Sequence, residues 1–141
     1  MPLNTTLPPD LEARLATLGD TIADACQEVE FAYLFGSVVS GRHTPTSDVD
    51  VAVHVSPSAD GETVRRTAAR AASRHLRSDA LDVVLLNRAP LALAGRILTS
   101  RRVIVDRVPF ARHRYESRIA RLFADFRIRE RRLLAQRYAR G

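Results

Sequence analysis

Three observations predict an α/β (α+β) fold, a small mixed sheet covered by helices with a long C-terminal helix. Helical and strand periodicities alternate along the chain, no internal repeat or low-complexity linker interrupts them, and the last quarter reads as helix. With 141 residues and 45% apolar content, the chain suits one core, so a single domain is expected over 1–141.

Leu11, Leu15, Leu18, Ile22 and Cys26 recur every three or four residues after Pro8-Pro9-Asp10, which predicts a helix over about 10–27. Phe31 to Phe35 is a short apolar run closed by Gly36, the pattern of a buried strand ending at a tight turn. Ser37 to Ser40 then begins a short helix that Gly41 ends, and Arg42 to Ser47 is turn-forming. From Asp48 to Val55 the residues alternate as in a strand: four valines point one way, and Asp48, Asp50, Ala52 and His54 the other.

Pro57 to Gly61 breaks the chain before a helix over Thr63–Leu76 with a narrow face of Val64, Ala68, Ala71, Ala72 and Leu76. Leu81 to Leu86 is a strand, Pro90 suits the first turn of a helix reaching about Leu98, and Val103 to Val105 is a last strand. One or two helices complete the chain. Tyr115, Ile119, Leu122, Phe123 and Phe126 form their core stripe, which Leu133, Leu134 and Tyr138 extend.

The lone Cys26 lies on a helical apolar stripe, where a buried, inert thiol is expected. The N-terminus lacks a signal-peptide pattern and no apolar run reaches membrane-spanning length, so the chain is expected to be soluble and cytoplasmic. All 22 basic residues are arginine. Residues 1–106 hold 11 of them against 13 acids, and residues 107–141 hold 11 against 3, so the net +6 resides in a basic helical tail from about 107. Such a tail suits an acidic partner surface, a nucleic acid or a membrane face, or is simply a solvated helix face.

The chemistry is concentrated before and within the second strand. Asp48 and Asp50, two apart on one face, set carboxylates side by side, an arrangement that a divalent cation relieves. Hard oxygen ligands suit Mg²⁺, which is usually completed by substrate phosphates, so the pair points to a nucleotide. Gly36-Ser37 follows a strand and opens a helix, where backbone N–H groups accept a phosphate that glycine lets approach closely. Asp82, a charge leading an otherwise apolar strand, is placed as the third carboxylate, with Asp79 its nearest rival. Arg42 is an exposed loop arginine within reach of phosphate, and His54 either borders the pocket or ends the strand. His43, His75 and His113 show no ligand spacing.

Gly36-Ser37, ten intervening residues, Asp48-Val49-Asp50 and a later strand aspartate resemble the signature of the polymerase-beta-like nucleotidyltransferase superfamily. Within it the chain resembles the minimal nucleotidyltransferases, the MNT antitoxins of HEPN/MNT toxin–antitoxin modules. The likeness spans nearly the whole length, through LDVVLLNRAPLALAGRIL, RRVIVD and YESRIARLFADF.

That resemblance implies a polymerase-beta-like fold, with ATP as substrate and two Mg²⁺ ions. Gly36 and Ser37 would hold the triphosphate, Asp48 and Asp50 would bind Mg²⁺, and Asp82 would complete the metal site beside the attacking hydroxyl. It also implies that AMP passes to a tyrosine of a cognate HEPN ribonuclease toxin, which is thereby neutralised. The little chain that follows Asp82 favours an acceptor carried by the partner. The alternatives are an antitoxin acting by contact alone and a small-molecule or RNA nucleotidyltransferase. Direct nucleic-acid binding is the less favoured use of the tail.

Overall fold

The computed structural model describes residues 4–140; residues 1–3 and 141 of the expected domain lie outside the described residues. Helix α1 (Leu11–Ala25) leads into strand β1 (Val29–Phe35), the one-turn helix α2 (Ser37–Ser40) and strand β2 (Val49–Val55). Helix α3 (Gly61–Leu76) crosses to strand β3 (Leu81–Leu85), a 3-10 turn covers Leu86–Arg88, and helix α4 (Leu91–Thr99), strand β4 (Arg102–Asp106) and helix α5 (Pro109–Arg140) complete the chain. The sheet order is β3-β2-β1-β4. β1 runs antiparallel to both β2 and β4, and β2 runs parallel to β3, so the sheet is mixed as expected.

Alternation along the two central strands assigns each side chain to a layer. Val49, Val51, Val53 and Val55 of β2 and Ala32 and Leu34 of β1 face α1 and α3, where Leu15, Leu18, Ile22, Ala68, Ala72 and Leu76 meet them. Phe31 and Tyr33, with Ala52, face the opposite layer of α4 and α5, with Ala94, Ile97, Tyr115 and Ile119. Burial on both faces explains why β1 is almost continuously apolar. Asp50 shares the alternation of Ala52, so it projects on the α4/α5 side, and only its position at the end of the strand brings it toward solvent.

Several loops are fastened by polar contacts. The Arg107 guanidinium, just after β4, donates to the carbonyl oxygens of Ala23, Cys26, Gln27 and Val29 at 2.7–3.1 Å. It thereby supplies a donor to the Ala23 carbonyl, which the end of α1 leaves without a helical one, and ties the turn from α1 into β1 to the end of β4. Asp60 caps α3 by accepting from the Thr63 N–H at 3.4 Å. Cys26 is buried, and burial pushes its thiol up, as suits an inert core residue.

Close packing also makes testable demands. Gly19 of α1 crosses β4 so tightly that a Cβ would lie 1.9 Å from the Ile104 carbonyl oxygen, a backbone atom that cannot swing aside. Gly19→Ala should therefore destabilise the chain by about 1–3 kcal/mol, measured by urea unfolding; an unchanged midpoint would contradict this crossing.

Two expectations need correction. Asp48 lies in the loop one residue ahead of β2, outside the strand. The stripe of α5 is a core face only in its first half. Tyr115 and Ile119 are buried, whereas Leu122, Phe126, Leu133, Leu134 and Tyr138 are exposed, because the sheet and α4 end before the helix does. The tail is one helix of 32 residues. Among the described residues no helix is long and apolar enough to cross a membrane.

Candidate active site

Gly36 joins β1 to α2 with φ 79° and ψ −151°, a conformation essentially confined to glycine. Its carbonyl accepts from the Val39 and Ser40 N–H groups at 3.2 and 3.1 Å. The helix is therefore set immediately, and by helix geometry the Ser37 and Val38 N–H groups have no acceptor within it. Gly41, also left-handed at φ 76°, ends α2 after one turn and releases the loop that carries Asp48.

Strand pairing places the acids. Asp50 is opposite Phe35 on β1, the residue before Gly36, and opposite Asp82 on β3. Its carboxylate lies against the bare Gly36 Cα: a Cβ there would stand 2.3 Å from Asp50 Oδ2. Burial pushes the Asp50 carboxyl up from its ordinary value, and the negative charges of Asp82 and Asp48 push it further. Asp48 and Asp82 are exposed, and Ser37 is half-buried. Gly36, Ser37, Asp48, Asp50 and Asp82 thus converge where β1, β2 and β3 meet at one edge.

The donor set fits Mg²⁺. Asp48, Asp50 and Asp82 supply hard carboxylate oxygens, and the Gly36–Ser37 turn beside them leaves backbone N–H groups without helical acceptors. Among the described residues no three His, Cys, Asp or Glu side chains are close enough to hold an ion unaided. A metal that keeps waters and takes substrate phosphates as ligands suits such a partial set.

The remaining sequence candidates separate. Asp79 accepts from the Ser73 hydroxyl at 2.7 Å and from the Asn4 N–H at 3.3 Å, which ties it to the N-terminal segment. His54 sits four residues along β2 from Asp50, paired with Glu30 at 3.0 Å and stacked on Phe31 at 4.6 Å, so it belongs to the layer under α5. Burial lowers its imidazole despite Glu30, which pulls the other way. Arg42 is exposed in the loop before Asp48. A cavity of 520 Å³ between residues 7–13 and 43–45 flanks that loop but is lined by none of the three carboxylates.

Sequence reasoning passed over Arg65. It is bonded to Glu62 on α3, and Glu62 first, then Asp82, favour its charged form. It is a cation beside the acidic edge, and nothing in its Ala/Arg-rich surroundings distinguishes it from the neighbouring arginines until α3 is docked on β3.

Residues 20–109 match the family model described as polymerase beta, nucleotidyltransferase. No curated protein sequence matches. Among solved structures, the chain superimposes on one from a mutant MntA–HpeT toxin–antitoxin complex with a TM-score of 0.70 at 18% identity, covering 86% of this chain and 96% of that one. A chain from a toxin–antitoxin structure with AMP-PNP gives 0.67 at 21%, covering 89% and 96%. A third is from the complex of tri-AMPylated Shewanella oneidensis HEPN toxin with MNT antitoxin, at 0.65 and 18%, again covering 89% and 96%. At such identities the likeness speaks for the fold, which is the polymerase-beta-like nucleotidyltransferase fold expected from the motif.

Proposed function

We propose that this chain, which belongs to the polymerase beta nucleotidyltransferase family, transfers AMP from ATP to a tyrosine hydroxyl of a HEPN-type toxin and so neutralises it. The observation that carries the reading is the position of Asp50, pressed on Gly36 and paired in register with Asp82. It gives one edge that accepts phosphate on one side and gathers negative charge on the other. The solved structures of similar fold support the choice of partner and nucleotide, since they include toxin–antitoxin complexes, one with AMP-PNP and one with an AMPylated HEPN toxin.

In this reading the Gly36–Ser37 turn holds the triphosphate through backbone N–H groups and the Ser37 hydroxyl. Asp48 and Asp50 would hold Mg²⁺, and Asp82 would complete the metal site beside the acceptor hydroxyl. Bound there, Mg²⁺ supplies charge neutralisation of the triphosphate and favours ionisation of the attacking hydroxyl. The tyrosine oxygen forms a bond to the α-phosphorus, the bond from that phosphorus to the bridging oxygen of the β-phosphate breaks, and pyrophosphate leaves. The hydroxyl proton passes to the exposed Asp82 carboxylate and on to water. Held in line, the two reactants need no further covalent help from the protein.

Incubating the chain with Mg²⁺, α-labelled ATP and a purified cognate HEPN-type toxin should place label on a tyrosine of that toxin. Asp48→Ala combined with Asp50→Ala should leave the toxin unlabelled and active. A partner that stays unlabelled with the wild-type chain defeats the transfer reading. Full neutralisation by the double variant would replace it with inhibition by contact.

A further inference from the structure

The second half of α5 has no counterpart in the core. Its root is firmly packed: Tyr115 and Ile119 are buried, the Tyr115 hydroxyl donates to the Leu86 carbonyl at 3.4 Å, and the Phe123 ring fills the hollow over Gly95, where a Cβ would come within 2.3 Å of it. Beyond that point the helix continues for about 25 Å at 1.5 Å per residue, with every side chain from 124 to 139 exposed. Tyr115, Ile119, Leu122, Phe126 and Leu133 fall on one stripe by steps of four, three, four and seven, and Leu134 and Tyr138 lie on the Phe123 side of it. The face that is core at the root is therefore bare along the arm, with Phe126 43% and Leu133 62% exposed. Residues 121–139 also carry six arginines against Asp125 and Glu130, a net charge of +4.

We infer that this arm, with the groove of about 500 Å³ that α4 and α5 form at its root, is a docking surface for a partner protein offering a helical face of apolar residues bordered by carboxylates. The inference rests on the transfer reading above, in which that partner is the HEPN-type acceptor. Two features decide among occupants. The stripe exposed along the arm continues the one that packs on the core at Tyr115 and Ile119, so on a straight helix it looks to the side of the core, where the body stands in the way of a flat bilayer but leaves room for a helix alongside. The charge then selects the helix. A second copy of the arm would set +4 against +4, and a nucleic acid would engage the arginines but leave the leucines and Tyr138 in water. Acidic residues flanking an apolar stripe satisfy both at once.

The test uses the full chain and a purified cognate HEPN-type toxin. Leu133→Glu with Leu134→Glu should weaken binding about thirtyfold or more by calorimetry, with an unchanged melting temperature because neither residue is in the core. Arg131→Glu with Arg132→Glu should weaken binding severalfold at low salt and converge on wild type at high salt. Transfer by both variants should recover at saturating partner, which raises KM and spares kcat. Wild-type binding by the leucine variant overturns the inference while leaving transfer intact. So does loss, on the same substitutions, of self-association, of binding to anionic vesicles or of binding to RNA instead of the partner. A wild-type chain that binds the partner without labelling it overturns transfer and keeps the docking surface; one that does neither removes both.

Discussion

Asp50→Asn is expected to lower AMP transfer by about 10²–10³-fold or more and, at neutral pH, to raise the melting temperature. The two effects share one cause. Asp50 is half-buried against Gly36, and burial, followed by the charges of Asp82 and Asp48, raises its carboxyl pKa above the ordinary 3.8. A carboxyl raised on folding holds its proton to higher pH in the folded chain than in the unfolded one. Between 3.8 and the raised folded value, folding takes up a proton, so stability falls as pH rises through that window. Above it the ionised carboxylate is a standing cost. An amide of the same shape removes that cost, and with it a hard anionic ligand. The stability gap between variant and wild type should be widest above the window and close below pH 3.8. Mg²⁺ with a non-hydrolysable ATP analogue should raise the melting temperature of wild type and not of the variant. An Asp50→Asn chain that melts lower than wild type at pH 7 would mean the carboxylate has a structural partner. One that still transfers AMP would remove Asp50 from the site. Instability without an evident structural return is the mark of a group retained for chemistry.

How much of this was legible before folding depends on range. Gly36-Ser37 and Asp48-X-Asp50 are local features, a turn and an alternation, and a strand led by a charge suggested Asp82. That Asp82 stands level with Asp50 depends on parallel pairing across the α3 crossover, which no local pattern encodes. Asp79 and His54 were open alternatives for the same reason: only tertiary partners, Ser73 and Asn4 for one and Glu30 and Phe31 for the other, show them occupied elsewhere. Arg65 carried no signal at all. The α5 stripe shows the converse limit, since helical periodicity reports that a face is apolar but not whether anything lies opposite. Tyr115 and Phe126 obey the same spacing, and only the first reaches the core.

Gly36→Ala should be the most damaging substitution of a glycine in the site, by two routes that can be measured apart. The backbone at φ 79° and ψ −151° lies in a region essentially closed to residues with a Cβ, at a cost of about 1–3 kcal/mol. Independently, the new Cβ would stand 2.3 Å from Asp50 Oδ2, so the carboxylate must leave the position that register and burial assign it. The expected sum is a loss of roughly 2–4 kcal/mol in urea unfolding, together with a fall in transfer from displacement of Asp50 and loss of the close approach to phosphate. Gly41→Ala is the comparison: its φ is 76°, but a Cβ there meets nothing within 4 Å, so only the left-handed backbone is disfavoured, by about 1–2 kcal/mol. Placing Gly36→Ala in an Asp50→Ala background isolates the contact. With the carboxylate gone, Gly36→Ala should cost only the backbone term, and the shortfall from the sum of the single variants measures how hard the two residues press on each other. Additivity within about 0.5 kcal/mol would mean they do not touch, and the phosphate-accepting turn and the carboxylate edge would then be two features and not one site.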